Sequence, residues 1–279
     1  MGLLIRFAGQ WVAGETREDA FRSARAANRR GLDAILNLLG EHYHDRGLVS
    51  QTVREYLAMA RGMRDAGLRG SVSIKASQMG IDIDPQWCFE NMTQVLDLVR
   101  EEGGVLWLDM EGSAYTDRTL QVYDRLLSLY DRVGVALQAN LRRTAMDLAG
   151  QLAVGARIRL CKGAYREPPS IAYTTQPEID RSYLRLLEKL FEDGDHFAVA
   201  SHDSAMIDRA LELSRDRPKP FEFQMLMGVR DPLKAELAAA GHRVLEYVPY
   251  GPNWLPYFTR RLRERPRNVF TMARSLVSG

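Results

Sequence analysis

Eight short apolar runs, each followed by a segment of helical period, alternate along this chain and leave few folds open to it. The runs occupy 35–40, 71–75, 104–110, 134–138, 157–161, 197–201, 221–226 and 243–248. Between them lie amphipathic stretches such as Val53-Tyr56-Leu57-Met59-Ala60-Met63 and Ile179-Tyr183-Leu184-Leu187. Asp84-Pro85 and Asp231-Pro232 each read as a capping carboxylate followed by a first-turn proline. Strand–helix alternation of this kind demands a parallel sheet, and eight repeats close it into a (β/α)8 barrel. A further helix over roughly 16–30 precedes the first strand. The 279 residues suit one such barrel over 1–279, with no linker and no low-complexity tract.

Barrel enzymes keep their chemistry at the C-terminal ends of the strands. Those positions here are Glu41, Lys75, Asp109 with Glu111, Gln138, Arg159 with Lys162, His202 with Asp203, Gln224 and Tyr247. One polar residue at a strand end is ordinary, because the chain meets water there. Polar residues at every strand end, mixing cations, carboxylates and amides, fit a ligand-binding mouth better.

The last strand is followed by Tyr257-Phe-Thr-Arg260-Arg261. Tyr257 lies three and four residues before the arginines, so all three share a helical face. Two guanidiniums beside an aromatic ring suit one small carboxylate, each arginine binding it bidentately. A solvated basic helix end is the plain alternative, since arginines continue to Arg267.

Charge narrows the field. With 38 basic and 36 acidic side chains the net charge is +2, which gives no reason to expect nucleic acid. The two cysteines, Cys88 and Cys161, fit no metal-ligand spacing and suggest a reducing cytoplasm. No stretch approaches the ~20 apolar residues of a membrane span, and the start lacks the pattern of a signal peptide.

Three chemistries remain. A flavoenzyme would use cations and an amide (Arg159, Lys162, Gln138) against the flavin ring edge. A Schiff-base aldolase would use Lys75 or Lys162 as its amine. A divalent-metal hydrolase would use Asp109, Glu111, His202 and Asp203, but five histidines and no His-x-His or His-Glu-x-x-His make the ligand supply thin. No Gly-x-Gly-x-x-Gly follows the first strand, so any dinucleotide would be held by the barrel mouth.

Three longer motifs carry a resemblance: Arg159-Leu-Cys-Lys162-Gly163-Ala164-Tyr165, Phe221-Glu-Phe-Gln224-Met-Leu226, and Tyr247-Val-Pro-Tyr-Gly with Tyr257-Phe-Thr-Arg260-Arg261. Shorter pieces fall in the same order, namely Leu38-Leu-Gly-Glu41, Val72-Ser-Ile-Lys75, Leu108-Asp109-Met-Glu111, Leu137-Gln138-Ala and Ala200-Ser-His202-Asp203. Together they resemble proline dehydrogenases of the monofunctional bacterial type, over roughly residues 10–278. The resemblance implies a distorted (β/α)8 barrel with its last helix over the mouth. It also implies FAD-dependent oxidation of L-proline to Δ1-pyrroline-5-carboxylate, with electrons passed to a quinone. The protein would then be cytoplasmic, with peripheral contact to the inner face of the cell membrane left open.

Residue by residue, the resemblance makes Arg260, Arg261 and Lys75 the cations on the proline carboxylate. Tyr247, Tyr257 and Leu226 wall the ring pocket. Arg159 stands beside flavin N5, and Asp109 organises the polar network beneath it; Asp109, Arg159, Tyr247 and Tyr257 form the catalytic set. Gln138 and the backbone of Met110 serve the isoalloxazine, and Gln224 is also cofactor-binding. Lys162, Gly163, Ala164, Ser201 and His202 serve the ribityl and pyrophosphate, and Glu264 the adenosine ribose. Glu41 pairs with Arg260 as a gate. No metal is implied. Departures exist: Ser201-His202 replaces a Thr-His pair, and Tyr173-Thr-Thr-Gln176 stands where bifunctional relatives carry a pyrophosphate-binding arginine.

Overall fold

In a computed structural model, the described residues are 9–264, with side chains described through Thr259. Eight parallel strands close in sequence order into a barrel. They are β1 (Asp33–Leu38), β2 (Gly70–Lys75), β3 (Leu106–Asp109), β4 (Val133–Gln138), β5 (Arg157–Cys161), β6 (Phe197–Ala200), β7 (Phe221–Leu226) and β8 (Arg243–Tyr250). The helices are α1 (Arg17–Arg29) before β1, then α2 (Arg46–Asp65), α3 (Pro85–Glu101), α4 (Thr116–Leu127), α5 (Thr144–Ala153), α6 (Gln176–Asp193), α7 (Ser204–Asp216), α8 (Asp231–Ala239) and α9 (Trp254–Glu264). No helix among the described residues is long and apolar enough to cross a membrane.

Strand alternation builds two unlike layers. Val72 and Ile74, like Leu106 and Leu108, join the large apolar core between sheet and helices. The intervening residues Ser71, Ser73 and Lys75 face the barrel lumen, where Ser73 Oγ meets Asp109 at 2.8 Å. The Trp107 ring fills the lumen across from Gly134, where an added Cβ would lie 2.4 Å from ring carbons. Glycine is therefore required at that point of β4.

α1 begins with a reciprocal capping box between Thr16 and Asp19 and packs on β1 and β8. At the outer wall of β8, fully buried Lys234 of α8 reaches Glu246 at 2.5 Å, and Arg30 reaches the other oxygen of Glu246 at 2.7 Å. Three elements thus share one buried carboxylate.

Several boundaries differ from the sequence pattern, and three of the differences have a visible physical cause. β1 covers Asp33–Leu38 and not 35–40. Asp33 reads as polar, yet its carboxylate takes Arg69 at 3.0 Å and Arg243 at 3.3 Å, and at Gly40 the chain leaves the sheet. A Cβ on Gly40 would sit 1.9 Å from Tyr43 Oη. β8 does not stop at 248 but runs on to Tyr250, since Leu39 N–H donates to the Tyr250 carbonyl at 2.7 Å. Asp84 caps α3 as its sequence suggests. Asp231 does not cap α8: Arg230 holds that place in a left-handed turn (φ 53°), and the Asp231 carboxylate accepts from Lys234 instead.

Candidate active site

At the C-terminal mouth of the barrel lies a cavity of about 590 Å³. Its wall includes Lys75, Asp109, Met110, Gln138, Arg159, Lys162, Gly163, Ala164, Ser201, His202, Gln224, Leu226, Tyr247 and Tyr257. Every strand from β2 to β8, or the turn directly after it, therefore contributes a residue singled out from the sequence, and the first turn of α9 adds Tyr257. Glu41 is not part of this wall. It stands nearby on the loop after β1, where Tyr165 Oη, a wall residue, donates to its Oε2 at 3.5 Å. The side chains of Arg260, Arg261 and Glu264 lie outside the described residues, although the backbone of α9 carries all three on the helix of Tyr257.

Asp109 is the hub. One carboxylate oxygen accepts from Arg159 and from Ser73 Oγ; the other accepts from Tyr247 Oη at 2.5 Å. Arg159 is buried, lies over the Trp107 ring at 4.5 Å, and also donates through Nε to Gln224 Oε1 at 2.5 Å. Gln224 is held in turn by Glu222, at 2.6 Å. Gln224 thus orients Arg159 while lining the cavity, where the resemblance implies a cofactor contact. Burial, and then the Asp109 charge, hold the Tyr247 phenol far above its ordinary pKa, so it stays a protonated donor.

One nitrogen of this network is unsatisfied. Arg159 Nη2 is buried and has no hydrogen-bond partner, which is costly for a cationic donor unless a ligand meets it. Lys75 Nζ likewise makes no hydrogen bond or ion pair among the described residues. It is aligned with Asp109 across the β2–β3 ladder. Two cations without full partners face one cavity, and they fit an electron-rich group.

The upper rim is different. Lys162 Nζ donates to Asp180 at 2.5 Å and to Asp203 at 2.6 Å, and it holds the Asp203 carboxyl below the ordinary carboxylate range. Gly163 has φ +109°, and a Cβ there would strike Asn140 Oδ1 at 2.1 Å; glycine alone brings the backbone so close. His202 Nε2 accepts the Leu226 N–H at 2.8 Å, closing the end of β7. Ser201 Oγ accepts from Asp203 N–H at 3.1 Å. Gln138 Nε2 donates to the Glu111 carbonyl at 2.8 Å.

Two expectations need correction. Glu111 is fully buried and does not line the cavity, taking Ser77 N–H at 3.0 Å and Ser77 Oγ at 2.5 Å. The four residues considered for a metal do not cluster either. The one such group among the described residues is Glu41, His42 and Glu111, whose ligand atoms lie within 4.8 Å of one another. Ser73, Trp107 and Glu222 were missed, though Ser73 lies two residues before Lys75 on the same strand face.

Residues 20–274 match the family model described as proline dehydrogenase. The chain belongs to the proline dehydrogenase family. It is 34% identical over 280 residues to the proline dehydrogenase of Deinococcus radiodurans, covering 98% of this chain and 90% of that one. It is 31% identical over 265 residues to proline dehydrogenase 2 of Bacillus subtilis, covering 94% and 88%. Among solved structures, proline utilization A from Bdellovibrio bacteriovorus superposes with a TM-score of 0.85 at 23% identity. That superposition covers 93% of this chain but only 32% of the other, and what it shows is the shared barrel.

Proposed function

We propose that the protein oxidises L-proline to Δ1-pyrroline-5-carboxylate with FAD and passes the electrons to a quinone, met at a membrane surface. The observation that supports this most is the unsatisfied Arg159 Nη2 at the cavity wall, in a chain of the proline dehydrogenase family. A cavity of about 590 Å³ is large enough for a flavin ring with a small amino acid beside it. The residues fit that cofactor: Arg159, Gln138 and Met110 for the ring, and Lys162, Gly163, Ala164, Ser201 and His202 for the phosphate arm. Gln176, which also lines the cavity at the N-terminus of α6, offers an amide where bifunctional relatives carry an arginine.

The reaction removes a hydride from the ring carbon beside nitrogen and remote from the carboxylate, and a proton from that nitrogen; FAD, when bound, takes the two electrons. Carboxylate binding and chemistry thus occur at opposite ends of the substrate. Lys75, with Arg260 and Arg261 from α9, holds the carboxylate. The three cations also favour loss of the ammonium proton, since they raise the cost of a further positive charge. Tyr247, Tyr257 and Leu226 wall the apolar ring, which fixes its orientation. Arg159, braced by Asp109 and Gln224, supplies positive potential where negative charge develops.

Purified protein should keep a flavin absorption spectrum through gel filtration and turn over L-proline with a soluble quinone analogue as acceptor. A colourless protein, or a yellow one with no proline-dependent reduction of that acceptor, would overturn the proposal.

A further inference from the structure

The loop that carries Glu41 is held in an unusual shape by residues outside the cavity. His42, the next residue, has φ 60°, a left-handed conformation uncommon outside glycine, which the surrounding contacts hold in place. Three contacts do so. His42 N–H donates to Ser77 Oγ at 2.9 Å, and Tyr43 N–H donates to the Ser77 carbonyl at 3.0 Å. The His42 ring meets Tyr115 Oη through Nδ1 at 2.8 Å.

Proton counting fixes the direction of that last contact. Tyr115 has one hydroxyl proton and gives it to Asp82 Oδ2 at 2.6 Å. Arg118 donates to Asp82 Oδ1 at 2.9 Å and lies over the Tyr115 ring at 4.8 Å. Burial alone would raise the Asp82 carboxyl, but the bonds from Tyr115 and Arg118 outweigh it and keep it below its ordinary range. Tyr115 Oη therefore accepts, and His42 Nδ1 carries the proton. The ordered series is His42 to Tyr115 to Asp82, anchored by Arg118.

The geometry points to His42, Tyr115 and Asp82 as a brace that positions Glu41 at the cavity mouth for the closing of the site over proline. The inference rests on the proposed function, with Glu41 in the gate role that the resemblance to proline dehydrogenases implies for it. None of the three brace residues lines the cavity, so they act through the backbone that follows Glu41. Tyr165, which lines the cavity, donates to Glu41, so a shift of the loop would be felt at the cavity wall.

The test uses flavin-loaded enzyme and steady-state kinetics with L-proline. Tyr115→Phe removes one oxygen, and His42→Ala removes the ring while keeping the strained backbone. Each should raise KM about fivefold with kcat within about twofold and flavin content unchanged. His42→Asn should restore KM to within about twofold, because Asn tolerates the left-handed turn and its amide reaches the place of Nδ1. The decisive arm is the pair with Glu41→Ala: once Glu41 is gone, adding Tyr115→Phe should change KM by less than about twofold. Equal, additive effects of Tyr115→Phe with and without Glu41 would make the contacts merely structural and overturn the inference. So would an unchanged KM in Tyr115→Phe. Failure of the proposed function is distinguishable, since wild-type enzyme would then show no proline turnover.

Discussion

Tyr247 Oη donates to Asp109 Oδ2 at 2.5 Å, across the lumen from β8 to β3. The ring that walls the cavity is therefore locked to the carboxylate that also orients Arg159. Tyr247→Phe should keep the wall but leave one Asp109 oxygen short of a donor. A loss of about 1–2 kcal/mol in kcat/KM follows, from a charge-assisted bond removed next to the reacting region. Tyr247→Ser should act on specificity. In the proposed pose the Tyr247 ring stands where a 4-hydroxyl would sit, which would bury that hydroxyl unpaired at a penalty on the order of 2–4 kcal/mol. The ratio of kcat/KM for L-proline over trans-4-hydroxy-L-proline should be large in wild type and shrink in Tyr247→Ser. Equal values for the two substrates in wild type would remove Tyr247 as the specificity wall.

Arg159→Met should lower the flavin reduction potential and slow reduction by proline, because the lost charge is the one beside the cofactor position. It should also cost stability, unlike a surface change. Asp109 loses its counter-ion and Gln224 its donor, and breaking a buried pair from one side costs roughly 3–5 kcal/mol. Redox titration and urea unfolding measured on the same preparation check both parts. An unchanged potential would refute the placement of Arg159.

Much of this was legible from the sequence for a physical reason. β5 and β7 begin and end where their apolar runs do, because both strands are covered by helices outside and their ends coincide with changes of polarity. The wall residues were legible because strand ends are where a barrel places them. Lumen residues were harder to see. Ser73, Trp107 and Glu222 lie within strands, and a polar residue every second position resembles any half-buried strand until closure shows that the inner face is a network. The left-handed turns at His42 and Arg230 carry no composition signal, since neither residue is glycine or asparagine. Glu111 was misplaced because sequence adjacency to Asp109 says nothing about a chain that has already left the strand.

The Lys162–Asp203 pair gives a stability signature with pH. Lys162 lowers the Asp203 carboxyl below its ordinary value of 3.8. A depressed acid contributes stability that is fully present above its unfolded pKa and is lost as pH falls through the folded one. Asp203→Asn keeps the cap on α7, where Asp203 Oδ1 accepts from Ala205 N–H at 2.9 Å, so the difference isolates the ion pair. The unfolding free energy of wild type minus variant should be flat from about pH 5 to 8 and shrink below about pH 4. A difference that grows on acidification would contradict the pairing.

Lys234 is fully buried on Glu246, which Arg30 also contacts. Lys234→Met should cost about 3 kcal/mol by leaving a buried carboxylate with a single cation. In a chain of this length that lowers Tm by roughly 6–12 °C. The double variant Lys234→Met with Glu246→Leu should recover most of the loss, because no buried charge then remains uncompensated. Calorimetry distinguishes the two outcomes, and an unshifted Tm in the single variant would show that the carboxylate is satisfied without Lys234.

The central claim is that this cavity holds a flavin that L-proline reduces. Anaerobic addition of L-proline to the purified protein, followed by its visible spectrum, tests this most directly. The account predicts a flavin spectrum that bleaches with L-proline and returns on addition of a quinone. A colourless protein that borohydride traps covalently with a carbonyl compound at Lys75 would contradict it and favour a Schiff-base enzyme; a flavin spectrum indifferent to L-proline would contradict it equally.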